Sequence, residues 1–530
     1  MLEGGALRQL PPFWLKAEDD QDFAQQIYFF RREGQRLKPL WMSSDIGTEV
    51  QAVDVDPQSG RFRLTAPDGR ESLWGWRSFG PERLPDALLE SFQARGEALP
   101  TGSTAPKIDQ TGESAVPSNS ACRAADAPDS PSVLATVTDG CTPSPNEVSL
   151  LFTGDLLFQD KLLHVDAEAE SLFAPLQPLL RDADLLCGNL EGPLVAEHPS
   201  GTFPRYRIPD RWAEALAGVG FDFLQCANNH LLDAGPEGLS HTTQSLLDAG
   251  ITPLGLRLNE SEPPWILREI KGIRLGLCAF TYENPPLGRQ GLSSLNGLAL
   301  PPAWRSRIDS FACLGADELA WSESCRRLAR QARAMREAGA DLLIFCLHWG
   351  EEYQDRPNRR QEELAKVLAE AGVDLIIGTH PHVAQPLCHL PSSVNPQGCI
   401  VYYSLGNFVA AQHRGSFAAS LSASESAAPV EGGVLARVSV RREGEQVKIV
   451  SAEALPVACV ELLPGSEHSA LRPHFAVMPL PPGSDRSRLA ELLRDGRLNG
   501  LPTTEASLDA LQALGERILK ITGPAIVPLP

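Results

Sequence analysis

Positive charge, aromatic residues and long apolar runs are all scarce in this chain, and each shortage excludes a class of function. Lysine and arginine number 47 against 67 aspartate and glutamate, a formal charge of −20 over 530 residues. A nucleic acid is gripped by a basic face that displaces counterions, and no Lys/Arg run supplies one, so nucleic acid is excluded as a partner. The longest apolar runs, such as 342–347, are strand-sized. A membrane span needs roughly 18 to 20 such residues, so none is expected. There is no Gly-Lys dipeptide, no Gly-x-Ser-x-Gly elbow and no His-Glu-x-x-His helix, which removes a P-loop, a hydrolase elbow and a zincin site. The start, Met1 to Arg8, carries no basic segment followed by an apolar one, so no secretory signal is read. The 11 cysteines contain no Cys-x-x-Cys pair, and Cys187, Cys226, Cys278 and Cys346 sit in apolar runs. That usage fits reduced, buried thiols and a cytoplasmic location.

Apolar residues nevertheless make up 42% of the chain and charged residues 22%, which is enough for a sizeable core. Residues 101–147 contain no Phe, Trp or Tyr and are dominated by Ala, Ser, Thr, Pro, Asp and Gly, so 99–147 reads as a flexible linker. Before it, residues 1–98 hold Trp14, Trp41, Trp74 and Trp76 and a hairpin pattern from Ala52 to Leu64, which predicts a small β-rich accessory domain with the tryptophans in its core. After it, apolar runs at 148–152, 185–187, 221–226, 275–280, 342–347 and 375–377 alternate with amphipathic patterns at 209–219, 237–249, 324–338 and 360–371. Strand–helix alternation of this kind defines an α/β domain, read here over 148–460. A second hairpin, Gly433–Arg442 with Val447–Ser451, adds antiparallel strands. Residues 461–530 read as an extension with short helices at 487–494 and 507–521, and the long connection 284–321 as a specificity loop.

The polar residues that carry chemistry stand at the ends of these strands: Asp155, Glu191, Asn228-Asn229-His230, His348 and His380-Pro-His382. In open α/β sheets ligands gather outside the carboxyl ends of the strands, so segments far apart in sequence can converge. Several imidazoles with carboxylates and an amide suit Mn, Zn or Fe, and one or two such ions would support hydrolysis. His164, His198, His241, His389, His413, His468 and His474 lie off these ends and are read as surface or loop residues. Glu362-Glu363 is read as a solvated helix face.

Gly154-Asp155, Asn189-Leu-Glu191, Ala227-Asn-Asn-His230 with Asp233 and Gly235, His348-Trp-Gly-Glu-Glu-Tyr353, Gln361, Gly378-Thr-His-Pro-His382 and Tyr403-Ser-Leu-Gly-Asn-Phe408 together resemble the CapA-type capsule-biosynthesis family, within the calcineurin-like metallophosphoesterase superfamily. The resemblance implies a four-layer α/β/β/α sandwich with a dimetal site. Carried over, Glu191 takes the bridging position, Asp155 and His382 hold one ion, and Asn229, His348 and His380 hold the other. His230 would protonate a leaving group, while Asn228, Glu352 and Asn407 would contact substrate. The usual Asp-x-His is here Asp155-Leu-Leu157, which weakens the first metal position. The function implied is a metal-dependent hydrolase of an anionic small molecule or polymer, a phosphoester or γ-glutamyl amide. The alternative is a non-catalytic component of a polyglutamate synthesis or export assembly. Members of the family are often membrane-associated, in contrast to the cytoplasmic reading of this chain.

Overall fold

In the computed structural model the described residues are 28–33, 36–42, 52–56, 61–65, 71–77, 80–83, 147–159, 162–163, 169–196, 205–287, 292–312, 318–412, 429–464, 474–480, 486–493, 496–498, 501, 503–523 and 525–526. The chain divides into two compact units, one of 1–121 with 284–299 and one of 122–283 with 300–530. In the first, Tyr28–Glu33 pairs antiparallel with Arg36–Met42. Ala52–Asp56, Arg61–Thr65, Glu71–Arg77 and Gly80–Arg83 form a four-stranded antiparallel meander that contains the hairpin read from the sequence. The side chains of Trp14, Trp41, Trp74 and Trp76, linker residues 99–146, and His164, His198, His413 and His468 lie outside the described residues.

The second unit contains strands β1 (Glu147–Leu156), β2 (Leu185–Leu190), β3 (Phe223–Gln225), β4 (Ile273–Leu287), β5 (Leu342–His348), β6 (Leu375–Thr379), β7 (Cys399–Tyr402), β8 (Asn407–Val409), β9 (Gly432–Glu443) and β10 (Gln446–Pro464). β4 runs on into the first unit. One sheet pairs β3, β2 and β1 in parallel and continues antiparallel through β9 and β10. The other pairs β4, β5, β6 and β7 in parallel. The C-terminal stretch adds helices Arg486–Leu492 and Thr504–Thr522, and also strands: His474–Pro479, Gly496–Leu498 and Ala525–Ile526 all pair with β10. Those strands escaped the sequence reading because each is short. The span 284–321 is not the plain loop expected. It holds two short strands at Leu292–Leu295 and Leu298–Ala299, a 3-10 turn at Pro302–Trp304, and Ser310–Ala312 parallel to β4.

Alternation along the strands explains the layering. Val148, Leu150 and Phe152 of one sheet meet Leu275, Leu277, Ile344 and Ile377 of the other in one continuous core. The opposite faces of β5 and β6, with Leu343, Phe345, Leu347 and Ile376, pack on helices α1 (Glu318–Glu337) and α2 (Arg359–Glu370) through Leu328, Met335, Leu364 and Leu368. Successive residues of a strand face opposite ways, so both faces are apolar only where both are covered.

Register is pinned by an aspartate just ahead of four parallel strands. Asp184, Asp222, Asp341 and Asp374 accept from the backbone N–H of Ser149, Leu186, Arg274 and Leu343, at 2.9, 2.9, 2.8 and 2.7 Å. Each satisfies an amide at the start of the adjacent strand that the ladder leaves open. With the starting edge fixed in this way, the opposite ends of the strands align, and there the polar residues gather.

Two consequences are testable. A Cβ at Gly378 would lie 2.0 Å from the Tyr403 carbonyl oxygen and 2.6 Å from Trp349 Nε1. Gly378→Ala must push backbone apart and is expected to cost about 2–3 kcal/mol in urea unfolding, where a cost below about 0.5 would contradict the close approach. Asp309 lies 2.7 Å from Arg257, yet burial outweighs the guanidinium and pushes its carboxyl from 3.8 up to about 6. The folded form therefore holds this proton more tightly than the unfolded chain, and that stabilisation is complete below 3.8 and lost as pH rises through 6. At about 1.4 kcal/mol per pH unit, Asp309→Asn should gain about 3 kcal/mol on the wild type between roughly pH 4 and 7, whereas a pH-independent difference would contradict this.

Candidate metal centre

The site forms where strands of both sheets end. Asp155 of β1 lies opposite Asn189 of β2 in parallel register, and Glu191, two residues on, falls on the same side as Asn189. His348 ends β5 opposite Thr379, the last residue of β6. The next residues turn sharply: His380 and His382 sit at φ +99° and +57° around Pro381. Left-handed backbone at non-glycine residues is costly and persists where surrounding structure enforces it. Here it aims both imidazoles back across the strand ends. Asn229 and His230 arrive from the turn after β3.

These residues meet. His348 Nε2 is 2.9 Å from Asn229 Oδ1 and 3.8 Å from Glu191 Oε1, while its Nδ1 is 3.1 Å from Thr379 Oγ1. His382 Nε2 is 3.6 Å from the same Glu191 Oε1, and its Nδ1 is 3.2 Å from Asp155 Oδ2 and 3.1 Å from Asn407 Oδ1. Tyr282, on β4 just beyond the last pair with β5, places its hydroxyl 3.1 Å from His380 Nε2. Two groups of potential ligands result, Glu191–His348–His380 and Asp155–Glu191–His382, each with its donor atoms within 4.8 Å of one another. Glu191 belongs to both.

Burial sets the electrostatics. Asp155, Glu191 and His348 are 0% exposed, and Asn229, His380 and His382 are 3% exposed. Burial, then the neighbouring Asp155 charge, raises the Glu191 carboxyl well above the usual range. Burial and adjacent imidazoles hold His348 and His380 well below the usual histidine value, so both are neutral and have a lone pair to offer. His382 differs: burial would lower it, but the Glu191 charge and the Asp155 contacts prevail and push it up to about 10.

The donors fit a divalent cation. Glu191 Oε1 and His380 Nδ1 are buried without a hydrogen-bond partner, and each such atom ordinarily costs about 1–3 kcal/mol, while Asp155 Oδ2 meets the His382 ring at 3.2 Å. Ligands at 2.0–2.2 Å from one ion stand roughly 3–3.5 Å apart, close to the 3.6 and 3.8 Å between Glu191 Oε1 and the two imidazoles. Carboxylate oxygens with the neutral imidazoles of His348 and His380 form a mixed hard and borderline set suited to a divalent metal, which would displace the proton of His382 on binding.

The remaining candidates take varied places. His230 Nδ1 lies 2.7 Å from Asp233 Oδ2, and its ring is 4.5 Å from that of Tyr206. Asn228 donates to the Leu190 carbonyl at 2.7 Å and accepts from His230 N at 3.2 Å, so its amide ties the loop to the end of β2. Asn407 faces His382, and its Nδ2 donates to Val430 O and Gln412 Oε1. Glu352 is half-buried, and its charge helps to raise Glu191, Tyr206, Tyr353 and His382. Leu157 is buried with Tyr206 and Ala410, so apolar packing occupies that position. His241, His389 and His474 bond to Asp210 or to Gln397 O or lie exposed, away from the centre. Glu363, expected on a solvated face, instead accepts from Trp321 Nε1 and Arg359.

Among the neighbours of these groups, Asn189, Asp233, Tyr353 and Thr379 were named from the sequence as motif positions without a role, and Tyr206 and Tyr282 were not named. Period two from Glu191 could have placed Asn189 beside it. Tyr282 carried no signal, because its proximity depends on the pairing of β4 with β5.

Residues 149–412 match the model of a bacterial family described as "Bacterial capsule synthesis protein PGA_cap". The chain belongs through this segment to the CapA-type capsule-biosynthesis family. Among individual proteins it is similar to the capsule biosynthesis protein CapA of Bacillus anthracis, 29% identical over 45% of this chain and 53% of that one. It is also similar to the PGA biosynthesis protein CapA of Bacillus subtilis, 26% identical over 51% of this chain and 64% of that one. A probable polyglutamine synthesis accessory protein of Mycobacterium tuberculosis is 25% identical over 34% of the chain and 45% of that protein. The match thus spans between half and two thirds of the two Bacillus relatives.

Proposed function

We propose that this chain acts in capsule or poly-γ-glutamate biosynthesis as a metal-dependent hydrolase of an anionic substrate, either a phosphoester or a γ-glutamyl amide. The single observation that carries the hydrolase reading is the position of Glu191, whose unpartnered Oε1 stands between His348 and His382 and is common to both ligand groups. In this reading one or two ions of Mn, Zn or Fe are held by Asp155, Glu191, Asn229, His348, His380 and His382, in a four-layer α/β/β/α sandwich of metallophosphoesterase type. A bound ion would supply a Lewis acid and a water acidified towards neutral pH. Its charge also answers the objection that an acidic chain repels an anion.

The chain's own residues do the rest. Asp233 fixes the His230 ring through Nδ1, so Nε2 is the atom that would give a proton to a leaving group. Thr379 and Asn407 fix the rings of His348 and His382. Glu352 is retained as a substrate-side residue by its charge near the centre. The accessory domain 1–98, the linker 99–147 and the extension 461–530 are proposed as additions to this catalytic domain. No helix among the described residues is long and apolar enough to cross a membrane; a cytoplasmic location stays part of the proposal.

A second reading, a non-catalytic polymer-binding component, is favoured by Leu157, which fills with apolar packing the place where a further imidazole would complete the first position. Metal-loaded protein offered bis(p-nitrophenyl) phosphate and γ-glutamyl-p-nitroanilide separates the two. Turnover that chelation abolishes is expected; stoichiometric metal with no turnover of either compound supports the second reading.

A further inference from the structure

We propose that Asn189 is the positioning residue of the metal centre: one side-chain amide holds the outer oxygen of each carboxylate, so that the other oxygen of each faces the ion. This rests on the metal-binding reading above and assigns a function to a residue outside the ligand set. Asn189 is 1% exposed. Its Nδ2 is 2.8 Å from Asp155 Oδ1, 3.4 Å from His348 Nδ1 and 3.5 Å from Glu191 Oε2. The complementary oxygens, Asp155 Oδ2 and Glu191 Oε1, carry no hydrogen bond and face the imidazoles, Asp155 Oδ2 lying 3.2 Å from His382 Nδ1. The Asn189 amide thus divides the four oxygens, leaving one of each carboxylate towards itself and one towards the candidate ion position.

The orientation of the amide is fixed from behind. Asn228 Nδ2 donates to Asn189 Oδ1 at 3.3 Å and is itself anchored on the Leu190 carbonyl at 2.7 Å. A flipped amide would set its oxygen against Asp155 Oδ1, acceptor against acceptor, so only the orientation that donates is stable. The same arrangement keeps Asn189 out of the ligand set: its oxygen is engaged by Asn228, and an amide nitrogen with two hydrogens has no lone pair for a metal. An amide also stays uncharged at every pH, so it can separate two buried carboxylates without adding a third charge.

The test is calorimetric titration of the metal-free full-length chain with Mn(II), alongside the thermal midpoint of each metal-free protein. Asn189→Ala is expected to weaken Mn(II) binding by about 10–100-fold, the usual effect of removing a group that orients metal ligands. A merely structural residue would lower the midpoint and leave the affinity of the folded protein unchanged. Asn189→Ser, smaller and polar, serves where the alanine variant does not fold and is expected to weaken binding in the same direction. Folded variants that bind Mn(II) within twofold of the wild type overturn the inference. A wild type that takes up none of Mn(II), Zn(II) and Fe(II) in the same titration overturns the proposed function itself, so the two failures are distinguishable.

Discussion

Glu191→Gln is expected to leave the chain folded and strip it of metal. As the carboxylate common to both ligand groups, Glu191 offers an oxygen 3.8 Å from His348 Nε2 and 3.6 Å from His382 Nε2. Among the described residues no other is common to the two groups. Glutamine preserves shape but removes the charge that draws a cation, so affinity should fall by more than about 100-fold, beyond the loss typical of an outer residue. Burial and the adjacent Asp155 charge already raise the Glu191 carboxyl, so the empty site resists ionisation there and a neutral amide suits it. The metal-free variant should melt at or above the metal-free wild type. Elemental analysis of the purified proteins and scanning calorimetry check both halves. A variant that retains full metal content would show that Glu191 is not the shared ligand.

His230→Ala should separate chemistry from binding. The ring is held by Asp233 at 2.7 Å and belongs to neither ligand group. Metal content should match the wild type, while turnover falls by about 10²–10⁴-fold, the usual contribution of a positioned general acid. Asp233→Asn should follow in the same direction with a smaller loss, because the ring remains but its orientation and tautomer are no longer fixed. The loss should shrink for substrates whose leaving group needs no proton, such as p-nitrophenolate. Loss of metal in His230→Ala, or unaltered turnover, would remove His230 from the acid role.

The core of the α/β unit was legible because its signal is local. Runs such as 342–347 and 375–377 are apolar on both faces, and helices such as Arg211–Val219 and Arg359–Glu370 keep a strong amphipathic period. The polar residues at the strand ends were legible for the same reason: each stands where an apolar run stops. Less legible was anything settled by pairing between distant strands. Asn189 faces Asp155 only because β1 and β2 run parallel in one register, and Tyr282 reaches His380 only because Thr281 lies opposite His348. The strands at Leu292–Leu295 and His474–Pro479 are four and six residues long and sit among turn-forming residues, so periodicity had too little length to register. Asn228 and Asn407 were read as contacting substrate; the structure adds that Asn228 Nδ2 bonds the Leu190 carbonyl and Asn407 Oδ1 faces His382. Motif membership placed both near the centre but could not give the direction of a side chain.

Anomalous diffraction from a Mn(II)-soaked crystal of the full chain tests the central claim most directly. The expected result is a peak about 2.0–2.3 Å from Glu191 Oε1, with His348 and His380 or Asp155 and His382 completing its coordination. Strong peaks only elsewhere, or none beside Glu191 at saturating Mn(II), would contradict it.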